Sequence, residues 1–179
     1  MDAALADYER ALELDPTMLR ATHMLAILRY DRHEFSLAAR DLRKVVDLIP
    51  GNDYLRFRLF LACSWLGDAK HAAKELQAHL DNRGPTKKSD WTSIVGDFLL
   101  GRMAEVEFLK AAENSDAKTT LEQRCEAFYY AGSQRLLKGG ETVKAAKYFQ
   151  ASLDTGVKRF TEYGSARIEL NLLKASVHE

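Results

Sequence analysis

The side chains able to do chemistry are scattered along this sequence. Its histidines are His23, His33, His71, His79 and His178, and none belongs to an HExxH arrangement, in which two imidazoles one helical turn apart reach a single zinc ion. His71 and His79 share a predicted helix but stand more than two turns apart, too far for one metal without other ligands, so the histidines read as surface residues. The two cysteines, Cys63 and Cys125, form no CxxC and cannot build a disulfide framework. Whether they bridge each other is left open by spacing. Cys125 sits on an apolar helix face with no base beside it, which reads as a buried structural thiol rather than a nucleophile. Gly139-Gly140 lacks the Lys-Ser/Thr that would follow in a phosphate loop, so it reads as a helix–helix turn. Carboxylates fall on predicted solvent faces, where Asp41/Lys44 and Glu141/Lys144 are spaced for intrahelical support rather than acid–base work. The expectation is a protein with no catalytic, cofactor or metal site, and therefore not an enzyme.

Charge narrows the partners. Lys plus Arg and Asp plus Glu both number 26 in 179 residues, and neither half of the chain has an excess of either sign. Nucleic acid or an anionic membrane would call for clustered basic residues, so neither is expected as a partner. With 46% apolar and 29% charged residues, the chain can bury one sizeable core. Its longest charge-free apolar stretch, Leu59 to Gly67, is far short of the roughly 20 residues of a spanning helix. The opening MDAALADYERAL has no basic segment leading into an apolar one, so no secretory signal is expected in this chain; cytoplasm and periplasm both stay open.

The elements that position these residues repeat. The prolines Pro16, Pro50 and Pro85 are spaced about 34 residues apart, a period typical of stacked helix pairs. A matching offset places Ala4 on Ala38, Tyr8 on Leu42, Ala11 on Val45 and Leu14 on Leu48, and it continues to Ala72 and Leu76. In one unit, Leu19, Thr22, Leu25, Ala26 and Leu28 recur at helical spacing, Asp31-Arg32-His33 turns, and Phe35, Ala38, Ala39, Leu42, Val45 and Val46 form the next apolar stripe. Ala38 belongs where the two helices cross, at an axial separation of about 8–10 Å that admits only a small side chain. Pro50 stops the second helix, and Asn52 or Asp53 offers a cap for the next.

These residues resemble the tetratricopeptide repeat, whose second helix carries a small–x₃–aromatic–x₂–small–x₄–Pro signature. Ala4, Tyr8, Ala11 and Pro16 match it; Ala38 and Pro50 match in the next unit, with Leu42 and Val45 between them; Ala145, Phe149 and Ser152 match its first three positions later on. The first-helix signature is kept poorly, with Thr22, Leu25, Ala26 and Arg29 in one unit and Arg56, Leu59, Phe60 and Cys63 in the next. The resemblance implies an all-α fold, a right-handed superhelical solenoid of antiparallel helix pairs with about ten helices, running as a single domain over 1–179. Its parts would be a half repeat at 1–16, repeats at 17–52 and 53–85, a degenerate pair at 88–115, a repeat at 119–156 and a capping helix at 159–176. Opening on a second helix leads one to expect a preceding helix upstream. The C-terminal third, from Cys125-Glu126-Ala127-Phe128-Tyr129-Tyr130-Ala131-Gly132 through Thr155-Gly156-Val157 to Glu169-Leu170, is similar to the end of bacterial tetratricopeptide lipoprotein adaptors. That implies a bacterial source and an envelope association, although the lipidated cysteine is absent here.

In such an array the first helix of each pair lines the inner wall. The resemblance places Tyr54, Phe57, Leu61 and Trp65 there, apart from the core stripe of Leu55, Leu59, Ala62 and Leu66. The preceding unit supplies Arg20, His23, Ile27 and Tyr30; the late unit supplies Glu126, Tyr129 and Ser133; Arg56 and Arg58 lie on the margin. Aromatic and arginine side chains in a groove are the composition of binding hot spots, so a protein or peptide segment is the expected partner. The spare stripe could equally be filled by the C-terminal helix, a second protomer or an upstream helix. Positions that carry Lys and Asn in carboxylate-clamp members of the family hold His23 and Ile27, or Phe57 and Leu61, so an apolar or amphipathic segment fits better than a terminal carboxylate. A homodimer through the uncapped first helix is a further expectation. The alternatives are an accessory domain of a larger bacterial protein and, less in keeping with the charge balance, a helical repeat that reads nucleic acid.

Overall fold

A computed structural model of the chain describes residues 2–84 and 90–175. The described residues contain ten helices and no strand: α1 (Asp2–Leu14), α2 (Leu19–Asp31), α3 (Phe35–Leu48), α4 (Asp53–Trp65), α5 (Ala69–Asp81), α6 (Trp91–Leu99), α7 (Glu105–Ala111), α8 (Ala117–Leu137), α9 (Thr142–Asp154) and α10 (Thr161–Ala175). Pro85, the last of the three spaced prolines, and His178 lie outside the described residues. Internal contacts divide the chain into two compact units, Met1–His79 and Leu80–Glu179.

In the first unit α1 packs on α2, α2 on α3 and α3 on α4. This nearest-neighbour stacking is what a helical array requires, since one amphipathic helix cannot bury its face alone. Asn52 starts α4 by accepting the Leu55 N–H on its side-chain oxygen at 3.3 Å, as its residue type predicts. Ala38, Leu42 and Val45 on α3 and Ala26 on α2 are completely buried and Leu25 nearly so, so the two predicted stripes face the interior. Leu55, Leu59 and Ala62 are buried as expected, whereas Leu66 is 51% exposed. It caps α4 one residue past the last helical turn, where the stripe no longer points inward. Helix α5 is tied to its unit by Arg43 to Glu75 at 2.7 Å and by His79 Nε2 to Asp53 Oδ1 at 2.7 Å.

The second unit is built around α8, which contacts α6, α7, α9 and α10. Asp116 caps it by accepting the Thr119 N–H at 2.7 Å, so it starts four residues before the apolar pattern at Leu121 becomes visible. Gly132 on α8 faces the ring of Phe149 on α9, and Ala145, Phe149 and Ser152 are all buried. The shorter pair α6 and α7 holds a column of parallel rings, Trp91 on Phe108 at 5.6 Å and Phe108 on Phe98 at 4.0 Å. Asp90 caps α6 through the Ser93 N–H, and Arg83 grips Asp90, Thr92 and Ser93.

Candidate protein-interaction surface

Positions 54, 57, 61 and 65 share one side of α4 because they recur every three to four residues. The two ends of this stripe differ from its middle. Tyr54 is half-buried and stands edge-on to Phe57, with ring centroids 5.8 Å apart. Phe57 and Leu61 have no solvent exposure, and Trp65 is again half-buried. On α2, Arg20 is exposed, His23 is half-buried, and Ile27 and Tyr30 are buried. Burial, with the charge of Arg58 as a second cause, pushes the His23 imidazole below its ordinary value. At neutral pH it is therefore an uncharged ring.

Arg58, expected on the margin, is buried at 3% exposure. Its guanidinium lies over the Tyr30 ring at 4.7 Å and its Nη1 is 3.7 Å from the Asp31 carboxylate. A buried charge needs such compensation. In this unit the anticipated residues that reach solvent are thus Arg20, His23, Tyr54, Trp65 and the half-buried Arg56, which donates to the Val46 carbonyl at 3.3 Å.

Trp65 belongs to a cluster that the sequence does not announce. Its indole is parallel to the Phe35 ring, 4° from coplanar at 5.3 Å, and His33 stacks on Phe35 at 5.1 Å. Phe35 is half-buried and His33 exposed. His33 has a φ of 60°, a left-handed conformation that costs a non-glycine residue. Its N–H bonds the Tyr30 carbonyl at 2.9 Å, which closes the turn from α2 to α3. Three rings from the α2–α3 turn, the start of α3 and the end of α4 meet at one place, a proximity that no spacing within one helix encodes.

In the second unit, Tyr129 and Ser133 are buried, the Ser133 hydroxyl donating to the Tyr129 carbonyl at 3.0 Å. Glu126 is buried too and accepts the Trp91 indole N–H at 2.5 Å. The anticipated residues of this unit thus serve its interior. Its strongest polar constellation lies elsewhere, on α7, α8 and α9. Arg135 grips Glu105 with two bonds of 2.7 Å, the Tyr148 hydroxyl donates to Glu105 at 2.6 Å, and Lys144 stands 3.3 Å away. Burial alone would raise the Glu105 carboxyl, but the bonds from Arg135, Tyr148 and Lys144 outweigh it and hold the group down at about 2. Burial and the adjacent Glu105 push Tyr148 up to about 12.

Several polar side chains sit differently from the sequence expectation. His79 is mostly buried and bonded to Asp53, and His23 is half-buried, so these two are not surface histidines. Asp31, Asp41, Asp53, Glu126, Glu162 and Glu169 are buried carboxylates. Asp41 pairs with Arg29 and Arg40 rather than Lys44, while Glu141 pairs with Arg135 and Lys144 with Glu105. The intrahelical spacing was real, but arginines on neighbouring helices reach those carboxylates with better geometry. Cys63 and Cys125 are both buried free thiols. Among the described residues no group of three or more His, Cys, Asp or Glu side chains is placed to hold a metal ion, and no helix is long and apolar enough to cross a membrane. No protein-family model matches the chain.

Proposed function

We propose that this chain is a non-enzymatic adaptor, a tetratricopeptide-like superhelical array of helix pairs that holds a protein segment against its first helices. The array reading is supported by the period of the prolines, by packing of α1 to α4 each on the next and by the complete burial of Ala38, where the repeat calls for a small residue. The observation that carries the binding reading is the Trp65–Phe35–His33 stack, in which two half-buried rings and one exposed ring are locked in place by one another. A rigid ring with one open face buries apolar area on binding at little entropic cost, which is why tryptophan dominates hot spots. Arg20 and Tyr54, the other accessible members of the first-helix faces, add a donor and an edge-on ring. With His23 neutral, the ligand favoured is an apolar or amphipathic segment rather than a free carboxylate.

The test is affinity capture from the source cells, followed by calorimetry on the captured partner, with the native chain and with the Trp65→Ala and Arg20→Glu variants. Loss of the same partner on Trp65→Ala, with an unchanged far-UV spectrum and melting midpoint, is the expected result. Equal capture by all three proteins would remove the stack from the binding surface.

A further inference from the structure

The open face of the first unit lies where α1 and α3 flank α2, around a groove of about 780 Å³. Helix α1 packs on α2, yet none of its residues is buried. A helix of 13 residues is marginal in water without tertiary cover, and the groove is lined by the half-buried Leu12 of α1 and by Leu48 of α3, which is 67% exposed. The two banks have opposite charge. The α1 bank presents Glu9 and Glu13, the latter bonded by Arg10 at 2.6 Å, and the α3 bank presents Arg40 and Lys44 beside the buried Asp41, Lys44 having no partner among the described residues.

We propose that the occupant of this groove is a second copy of the same chain, docked about a two-fold axis that runs along the groove. Such an axis exchanges the banks, so each copy's acidic α1 lies over its partner's basic α3. The residues are also level with one another. Arg29 bonds both Glu9 and Asp41, which fixes Glu9 at the height of Arg40 and Asp41; one turn further along, Glu13 stands at the height of Lys44. Because this axis preserves height along the groove, Glu9 meets Arg40 and Glu13 meets Lys44, twice each, with Leu48 covered at one end. A two-fold interface must be self-complementary, and a groove with one acidic and one basic bank in register meets that condition. A two-fold axis across the groove would set acid on acid and base on base. The surface is separate from Trp65, so loss of partner binding in Trp65→Ala leaves this proposal standing.

Sedimentation equilibrium of the chain tests it, using the native protein, Glu13→Lys, Lys44→Glu and the double variant. Both positions are exposed, and thermal melts confirm that each variant folds. The expected result is a concentration-dependent dimer, weakened about tenfold or more by either single reversal and restored to within about threefold by the double, which reverses the 13–44 pair and keeps it complementary. A native chain that stays monomeric up to about 100 μM overturns the proposal, as does a dimer indifferent to both reversals or a double variant as weak as the singles. Leu48→Asp, folded and monomeric, would support the same seat from its apolar end.

Discussion

A Cβ placed on Gly132 would stand 2.7 Å from Cε1 of Phe149, closer than any carbon pair tolerates. Helices α8 and α9 therefore meet at a point where only a hydrogen fits, and the Phe149 ring fills the place of the missing side chain. Phe149 is completely buried and also touches Tyr129, at 6.2 Å between centroids, so it has no free direction in which to yield. Gly132→Ala is expected to destabilise the protein by about 1–3 kcal/mol through overpacking, despite the better helix propensity of alanine. Pairing it with Phe149→Leu should recover part of that loss, which urea unfolding of the two singles and the double will show as a coupling energy.

Helix positions, the buried stripe through Ala38 and the small–aromatic–small run of α9 were legible because they depend on periodicity, which a linear sequence displays directly. The candidate surface was legible only in part. The period placed Tyr54, Phe57, Leu61 and Trp65 on one side of α4, but it carries no information on how much of that side is covered, and Phe57 and Leu61 are buried. Equally, Arg58 and Asp41 look like surface charges in a one-dimensional reading. Their burial depends on Tyr30, Asp31 and Arg29 on another helix, and such inter-helix pairing has no local signature.

Arg29 and Asp41 join α2 to α3 by a buried ion pair, and Glu9 of α1 completes the arrangement at 2.8 Å from Arg29. Breaking a buried pair by removing one partner leaves an uncompensated charge, whereas removing both costs far less. Asp41→Ala is accordingly expected to lower stability by about 3 kcal/mol, and Arg29→Met combined with Asp41→Leu by clearly less than that. Chemical denaturation of the two variants checks the order; a double variant less stable than the single would mean that the pair itself, and not the buried arginine left with Glu9 alone, carries the energy.

Cys63 and Cys125 are buried on α4 and α8, and burial raises both thiols above their ordinary value. Thiolate is the reactive form, so low access and low ionisation act in the same direction. With a chromogenic disulfide reagent near pH 8, the native protein is expected to react much more slowly than the urea-unfolded chain, which should release two equivalents at once. A fast equivalent in the native state would place one of these thiols at an opening that the fold does not have.

Glu105 supplies a pH signature for the second unit. Its ordinary value of 4.5 falls to about 2 in the folded chain, where Arg135 grips it with two bonds and Tyr148 with a third. The unfolded state thus takes up this proton at a higher pH than the folded state. The stabilisation that Glu105 provides is fully present above about 4.5 and drains away as pH falls through the window to about 2. Glu105→Gln keeps a hydrogen-bond acceptor but has no proton to gain, so its urea midpoint should lie below that of the native protein at pH 6. The gap should narrow as the pH is lowered to about 2.5. Other carboxylates titrate in both proteins and cancel in the difference. A gap constant across that range would mean that the Arg135 bonds are matched by equally good ones in the unfolded chain.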